Sequence, residues 1–422
     1  INYERILLGV IVSNFWRKLM HNMFKLLPLT AAIALAACGG GADKAAGGAA
    51  AGGDSACGKL AADEVCVKIG SGAPKTGGIA HLGKDNENGV QLAVNEINAK
   101  GNLVVGGKKV KLAMVGEDDA GDPKQGPVVA QKLVDAKVVG VVGHLNSGVS
   151  IPANSVYAAA GLVQVSPSST NPDYTLKGNK TPKGSVSSYR VVATDAQQGP
   201  ALAKYMLGKG GKTIAVLDDA TQYGKGLADQ VEKTMKEGGA TVAIREAATD
   251  KTTDFKAVLT KIKGLNPDFV FWGGMDDTAA TLVKQMKELG LTAKLVAADG
   301  ACTDKFVELS AAAGKGTVCS VAGMPLEKMA KGKDFVANYE KTFPGQKVQI
   351  YSPFSYDATY AIVEAMKIAN STDPEAIAAA MQKVNFEGLI GQIAFDPIGD
   401  IKGGAISIFE AKDKLEVVDI IK

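Results

Sequence analysis

The chain has 422 residues, 46% hydrophobic and 22% charged, which suits a soluble globular protein of one large or two medium domains. Setting residues 1–38 aside as a leader removes Arg5, Arg17, Lys18, Lys25 and Glu4, so 47 basic and 44 acidic residues become 43 of each. A balanced charge excludes the electrostatic footprint of a nucleic-acid or anionic-surface binder, and a small partner is expected.

Residues 1–22 lack an initiator Met and read as an upstream extension, with a start at Met20 or Met23. From Met23, one early charge (Lys25) and a short apolar stretch ending in Leu35-Ala36-Ala37-Cys38 have the layout of a secretory signal over 23–38, too short for a membrane span. The small residues before Cys38 resemble a bacterial lipobox, which implies acylation of Cys38. The Gly/Ala-rich run 39–56 reads as a flexible tether. An exported chain allows disulfides. Cys57, Cys66, Cys302 and Cys319 permit three pairings; Cys57–Cys66 with Cys302–Cys319 is preferred, since each closes a short loop. A zinc site is not expected, because only His81 and His144 follow the leader.

From Val65 onward strand-like and helix-like stretches alternate. Val65–Ile69 reads as a strand. Val90, Ala93, Val94 and Ile97 recur at helical spacing and stop at Gly101. Val110–Val115 follows as a strand, Pro123–Asp135 as a helix, and Val138–Val142 and Leu162–Val165 as apolar runs. Strands recur at Ile214–Leu217, Val242–Ile244, Phe269–Trp272 and Lys294–Ala297. Helices separate them near 222–237, 253–263 and 276–289, the last with a stripe of Ala279, Leu282, Val283 and Met286. The alternation predicts an α/β protein of two Rossmann-like lobes with parallel sheets, divided as 64–192 plus 322–390 and 193–321 plus 391–422.

Ligands of open parallel sheets bind outside the carboxyl ends of the strands. There the first lobe carries "GHLNSG" and "SPSST", and the second carries "LDDATQYGKG", "FWGGMDD" and "AADGACT". A phosphate loop, a dinucleotide fingerprint and a nucleophile elbow all fail on spacing. His144, just past a buried strand, suits a hydrogen-bonded structural role better than a catalytic one. The acidic run Glu117–Pro123 suits a loop and helix cap better than a metal. No catalytic constellation emerges, and no cofactor or metal is expected. A site that holds an amino acid fits instead: hydroxyls of Ser147, Ser168 and Thr170 for the carboxylate, and Asp299 for the ammonium.

The pieces "AVNEINAKGN", "DDAGDPKQ", "VVGHLNSG", "PSSTNPDYT", "DAQQGPALAKY", "QYGKGLA", "DFVFWGG" and "FEGLIGQIAFDPIGD" together resemble the periplasmic branched-chain amino-acid-binding proteins of ABC transporters. The resemblance implies two lobes joined by three crossings, a Venus-flytrap that closes on an amino acid. It implies a monomer, anchored in a Gram-negative periplasm through Cys38, that delivers leucine, isoleucine or valine to an ABC permease; a sensor of the same fold is the alternative. It places Leu145, Asn146, Ser147, Ser168, Ser169, Thr170, Tyr223 and Asp299 around the ligand. Met275 and Leu82 stand near positions where the family often carries tyrosines. Asp299 replaces the usual Glu, and the family's disulfide positions fall on Gly121 and Asn146.

Overall fold

The computed structural model describes residues 55–421. The expected signal 23–38, the acylation site Cys38 and residues 39–54 of the expected tether lie outside the described residues. Cys57 is bonded to Cys66 and Cys302 to Cys319, the two short-loop pairings.

Six strands form the first sheet: β1 (Glu64–Ala73), β2 (Val104–Val105), β3 (Lys108–Asp118), β4 (Gly140–Gly143), β5 (Gln164–Ser166) and β6 (Ser188–Arg190). Their order is β2-β3-β1-β4-β5-β6, parallel throughout except for the β2–β3 hairpin. Gly106 and Gly107 close that hairpin with φ of 58° and 75°, a conformation side chains resist. Helices α1 (Ala80–Lys100), α2 (Gln125–Asp135), α3 (Ser147–Ala159) and the short α4 (Asp173–Leu176) follow successive strands.

The Val90–Ile97 stripe is only the second half of α1. Its first half is polar and yet buried, with Asp85, Asn86 and Asn88 all shielded. Asp85 explains this, because its two oxygens accept the backbone N–H groups of Gln349, Tyr351 and Ser352 at 2.7–2.9 Å. No local periodicity could show that distant demand. At its other end α1 stops at Gly101, as expected, in a left-handed C-cap.

The second sheet contains β7 (Thr213–Asp218), β8 (Thr241–Ala247), β9 (Phe269–Gly273), β10 (Lys294–Ala297), β11 (Val318–Val321), β14 (Ile406–Ala411) and β15 (Leu415–Ile421); β12 (Asn385–Glu387) and β13 (Gln392–Ala394) pair separately as a hairpin. Its order is β15-β14-β11-β10-β9-β7-β8. The five strands β7–β11 are parallel, whereas β14 and β15 run antiparallel at one edge. Only a hairpin is possible there, since the β14–β15 link is too short for a crossover. Helices α5 (Asp195–Gly208), α6 (Gln222–Glu237), α7 (Lys256–Leu265), α8 (Asp276–Glu288) and α9 (Asp304–Ser310) belong to this half; α10 (Gly332–Thr342), α11 (Ser352–Ala369) and α12 (Pro374–Ala380) belong to the first.

Two helix starts differ from expectation. α2 begins at Gln125 because Asp122 Oδ1 accepts the Lys124 N–H and shapes a turn first. α7 begins at Lys256 because the Gln285 side chain accepts from Phe255 N and donates to Thr253 O, holding residues 253–255 out of the helix.

The chain passes between the sheets after Arg190, after Val321 and before Ile406. Residues 391–402, expected with the second lobe, stay on the first. Ile393 and Phe395 are buried in its core, the Phe395 ring meets Tyr189 edge-on at 5.0 Å, and Asp400 pairs with Arg190. Gly399 O also accepts the Arg190 N–H at 3.0 Å, so this segment meets the outer edge of β6.

The stripe of α8 is buried as expected, Leu282 completely. Leu282→Ala should therefore destabilise the protein by about 2–5 kcal/mol through lost contacts and a residual cavity. Urea unfolding followed by emission of Trp272, which is fully buried in the same core, measures it.

Candidate functional site

The loops after β4 and β5 lie side by side, and their hydroxyls are mostly spent on each other. Ser166 Oγ donates to His144 O and accepts from Ser169 N, both at 2.9 Å. Ser150 Oγ contacts Ser169 Oγ at 2.7 Å. Ser168 and Ser169 donate to the Leu145 carbonyl at 3.1 and 3.2 Å. Arg190, fully buried, locks the arrangement with Nη1 on Ser169 O at 2.6 Å and Nε on Asp400 at 2.6 Å. Two hydroxyls remain available. Thr170 Oγ1 is buried without a partner, and Ser147 Oγ accepts from Asn171 N at 3.2 Å, leaving its own proton to donate.

Asp299 opens a single turn after β10 and is fully buried. Its Oδ1 accepts from Tyr223 Oη at 2.9 Å and Gln198 Nε2 at 2.7 Å, and its Oδ2 accepts from Tyr351 Oη at 2.7 Å. Burial raises its pKa, and the three donors only partly oppose that. A carboxylate has about four lone-pair sites, so one remains for a ligand donor. The disulfide at Cys302 ties this turn to β11.

An apolar wall joins the two halves. Leu82 and Leu145 from the first lobe pack in one cluster with Tyr223 and Met275 from the second and with Tyr351, the N-cap of α11. Beside them lies a cavity of about 580 Å³, lined by Thr76, Ile79, Gly121 and Asn146 on one side and by Asp219, Thr221, Tyr223 and Met275 on the other. Of the expected site residues, Asn146, Tyr223 and Met275 line it. Leu82, Leu145, Ser147, Ser168, Ser169, Thr170 and Asp299 are buried and do not line it. The lobes also touch directly, Asn171 Nδ2 donating to Gln222 O at 2.7 Å.

Gln198, Tyr351 and Arg190 escaped sequence reading, as did Asp195. Asp195 is the first residue of α5, where an Asp reads as an ordinary helix-start residue. In the structure it is fully buried and neither carboxyl oxygen has a partner. Burial pushes its pKa up to about 8, helped by the charge of Asp299 and opposed by that of Arg190.

His144 is structural, as expected: fully buried, Nδ1 on Asp119 at 2.6 Å and Nε2 on the Tyr157 hydroxyl at 3.0 Å. Gly72 sits so close that a Cβ there would strike the imidazole ring. The acidic run serves its loop, since Asp118, Asp119 and Asp122 each accept a nearby backbone N–H. Gly121 and Asn146 are neighbours, with a Cβ at Gly121 falling 3.5 Å from Asn146 Oδ1, which is where a bridge between those positions would run.

A family profile described as periplasmic binding protein matches residues 66–414. The chain belongs to the periplasmic binding protein family. Its members bind solutes rather than transform them, in line with the absence of a catalytic constellation in the sequence. Among relatives, Leu/Ile/Val-binding protein homolog 1 of Brucella abortus is 34% identical over 339 residues, 80% of this chain and 88% of that one. A leucine-binding protein from Thermotoga maritima superposes with a TM-score of 0.75 at 27% identity, covering 84% of this chain and 98% of that one. A branched-chain amino acid transporter substrate-binding protein from Streptococcus pneumoniae, in complex with isoleucine, gives 0.74 at 25% identity over 85% and 99%. Among the described residues no helix is long and apolar enough to cross a membrane.

Because Asp195 holds its proton to about pH 8 when folded but ionises near 3.9 when unfolded, the unfolded state binds fewer protons between those values. Its contribution therefore makes the ligand-free protein less stable as pH rises through that window. Asp195→Asn should flatten this fall, and thermal unfolding midpoints of both proteins across the window measure it.

Proposed function

We propose that this protein captures an aliphatic, branched-chain amino acid between its lobes and delivers it to the permease of an ABC importer. The observation that carries the reading is the division of chemistry across the cleft. The first lobe keeps two hydroxyls, Ser147 and Thr170, free of partners for their protons, and these suit a carboxylate. The second lobe presents Asp299 with one acceptor site unused, which suits an ammonium. Leu82, Leu145 and Met275 between them suit an apolar side chain. The amino-acid-binding relatives support the same class.

Ligand contacts to both lobes would favour the closed form, because a ligand shifts such an equilibrium only through its differential affinity for the two states. Tyr223 would reach the ligand from the second lobe and Asn146 from the first. Ser168 and Ser169 would act through the backbone they brace. Asp299, one methylene shorter than the family's usual Glu, is pulled into place by Gln198 and two tyrosines, and the ligand or a water would close the remaining gap. A lipid on Cys38 and the tether would hold a monomeric domain at a membrane facing the periplasm.

Two measurements test the reading. Thermal unfolding of ligand-stripped protein against each standard amino acid should show a raised midpoint with leucine, isoleucine or valine, since a ligand that binds only the folded state stabilises it. No rise with any of these three would overturn it. In calorimetric titration, Asp299→Ala should weaken binding by about 3–5 kcal/mol by stranding a buried ammonium, whereas Ser169→Ala, whose hydroxyl serves its own loop, should cost about 1 kcal/mol.

A further inference from the structure

His81 and Asp276 meet across the cleft. His81 is the second residue of α1, directly before Leu82 of the apolar wall, and Asp276 is the first residue of α8, directly after Met275. His81 Nε2 lies 2.8 Å from Asp276 Oδ2. The carboxylate is wholly shielded, while the imidazole is 26% exposed. Within its own lobe Asp276 receives only the Thr303 hydroxyl, at 2.7 Å on the same oxygen, and its Oδ1 has no partner. A shielded carboxylate so poorly matched in its own lobe needs a cation, and the opposite lobe supplies one.

We propose that His81 is a closure-positioning residue: protonated, it latches the first lobe onto Asp276 of the second, so that the cleft closes and holds its ligand more strongly at low pH than at high pH. This rests on the ligand-capturing cleft proposed above.

The neighbouring charges are accounted for. Asp277 on α8 and Lys305 on α9 also face the ring, with opposite effects. On α1 itself, Lys84 pairs with Glu87 and Asp85 is committed to residues 349–352. Burial disfavours the charged imidazole, and Lys305 adds to that, but the hydrogen bond and charge of Asp276, with Asp277, outweigh both and raise the pKa of His81. In an open form the ring would face water and titrate near the ordinary value of about 6.5. The latch is then fully present below that value and is lost as pH rises through the raised closed-state value. Asp195 and Asp219 also titrate with raised pKa values, so the test must isolate His81.

The experiment compares the wild type with His81→Gln, which keeps a hydrogen-bond donor without the charge, and with Asp276→Asn. Leucine titrations at about pH 5.5 and about pH 8.5, on either side of an imidazole transition, give the ratio of dissociation constants. That ratio should exceed the ratio in either variant by about two- to fivefold, the range of a partly screened ion pair. Small-angle scattering of the ligand-free proteins at the same two pH values supplies a second readout. The wild type should become more compact at the lower pH, and His81→Gln should not. If leucine binds with the same pH dependence in wild type and His81→Gln, the latch is wrong and the ligand reading survives. If no amino acid binds but the wild type alone compacts at low pH, the ligand reading fails and the latch stands. If nothing binds and scattering is insensitive to pH, the latch is overturned as well.

Discussion

The architecture depends on keeping one buried carboxylate, that of Asp299, out of water with enough donors around it. Isolated burial of such a charge is prohibitive, so the fold must bring donors from elsewhere. It does so from three segments far apart in the chain: Gln198 on α5, Tyr223 on α6 and Tyr351 at the start of α11. Two of these donors belong to the second lobe with Asp299, and Tyr351 comes from the start of a first-lobe helix. The acid at the strand end therefore ties a first-lobe helix start to the second lobe.

The opposite lobe meets a related demand differently. The hydroxyl-rich loops after β4 and β5 are short of backbone partners, and their serines satisfy one another and the carbonyls of His144 and Leu145. Arg190 then clamps Ser169 from beneath and reaches Asp400 just before the third crossing. What is left over, Thr170 Oγ1 and the Ser147 proton, is small in number but rigidly placed. Rigidity of this kind lowers the ordering cost of binding.

Much of the architecture was legible because strand–helix alternation and apolar stripes are local. α6 and α8, and the strands β7, β9 and β10, lie where their periodicity puts them. Misreadings arose where a distant side chain intervened. Gln285 holds back the start of α7, and Asp85 makes a polar half-helix an interior one. Phe395 draws residues 391–402 onto the first lobe. The candidate site was legible in its strand-end residues and not in Tyr351, Gln198, Arg190 or Asp195, whose local settings look ordinary.

Residue spacing over a few turns dictates which elements form, that two parallel-stranded halves exist, and which strand ends carry hydroxyls and acids. Long-range packing sets which of those hydroxyls stay free, which donors surround Asp299, and that His81 meets Asp276 across the cleft. The reason is physical. A polar group takes whichever partner folding brings within about 3 Å, and for these residues that partner lies on a different element of the chain.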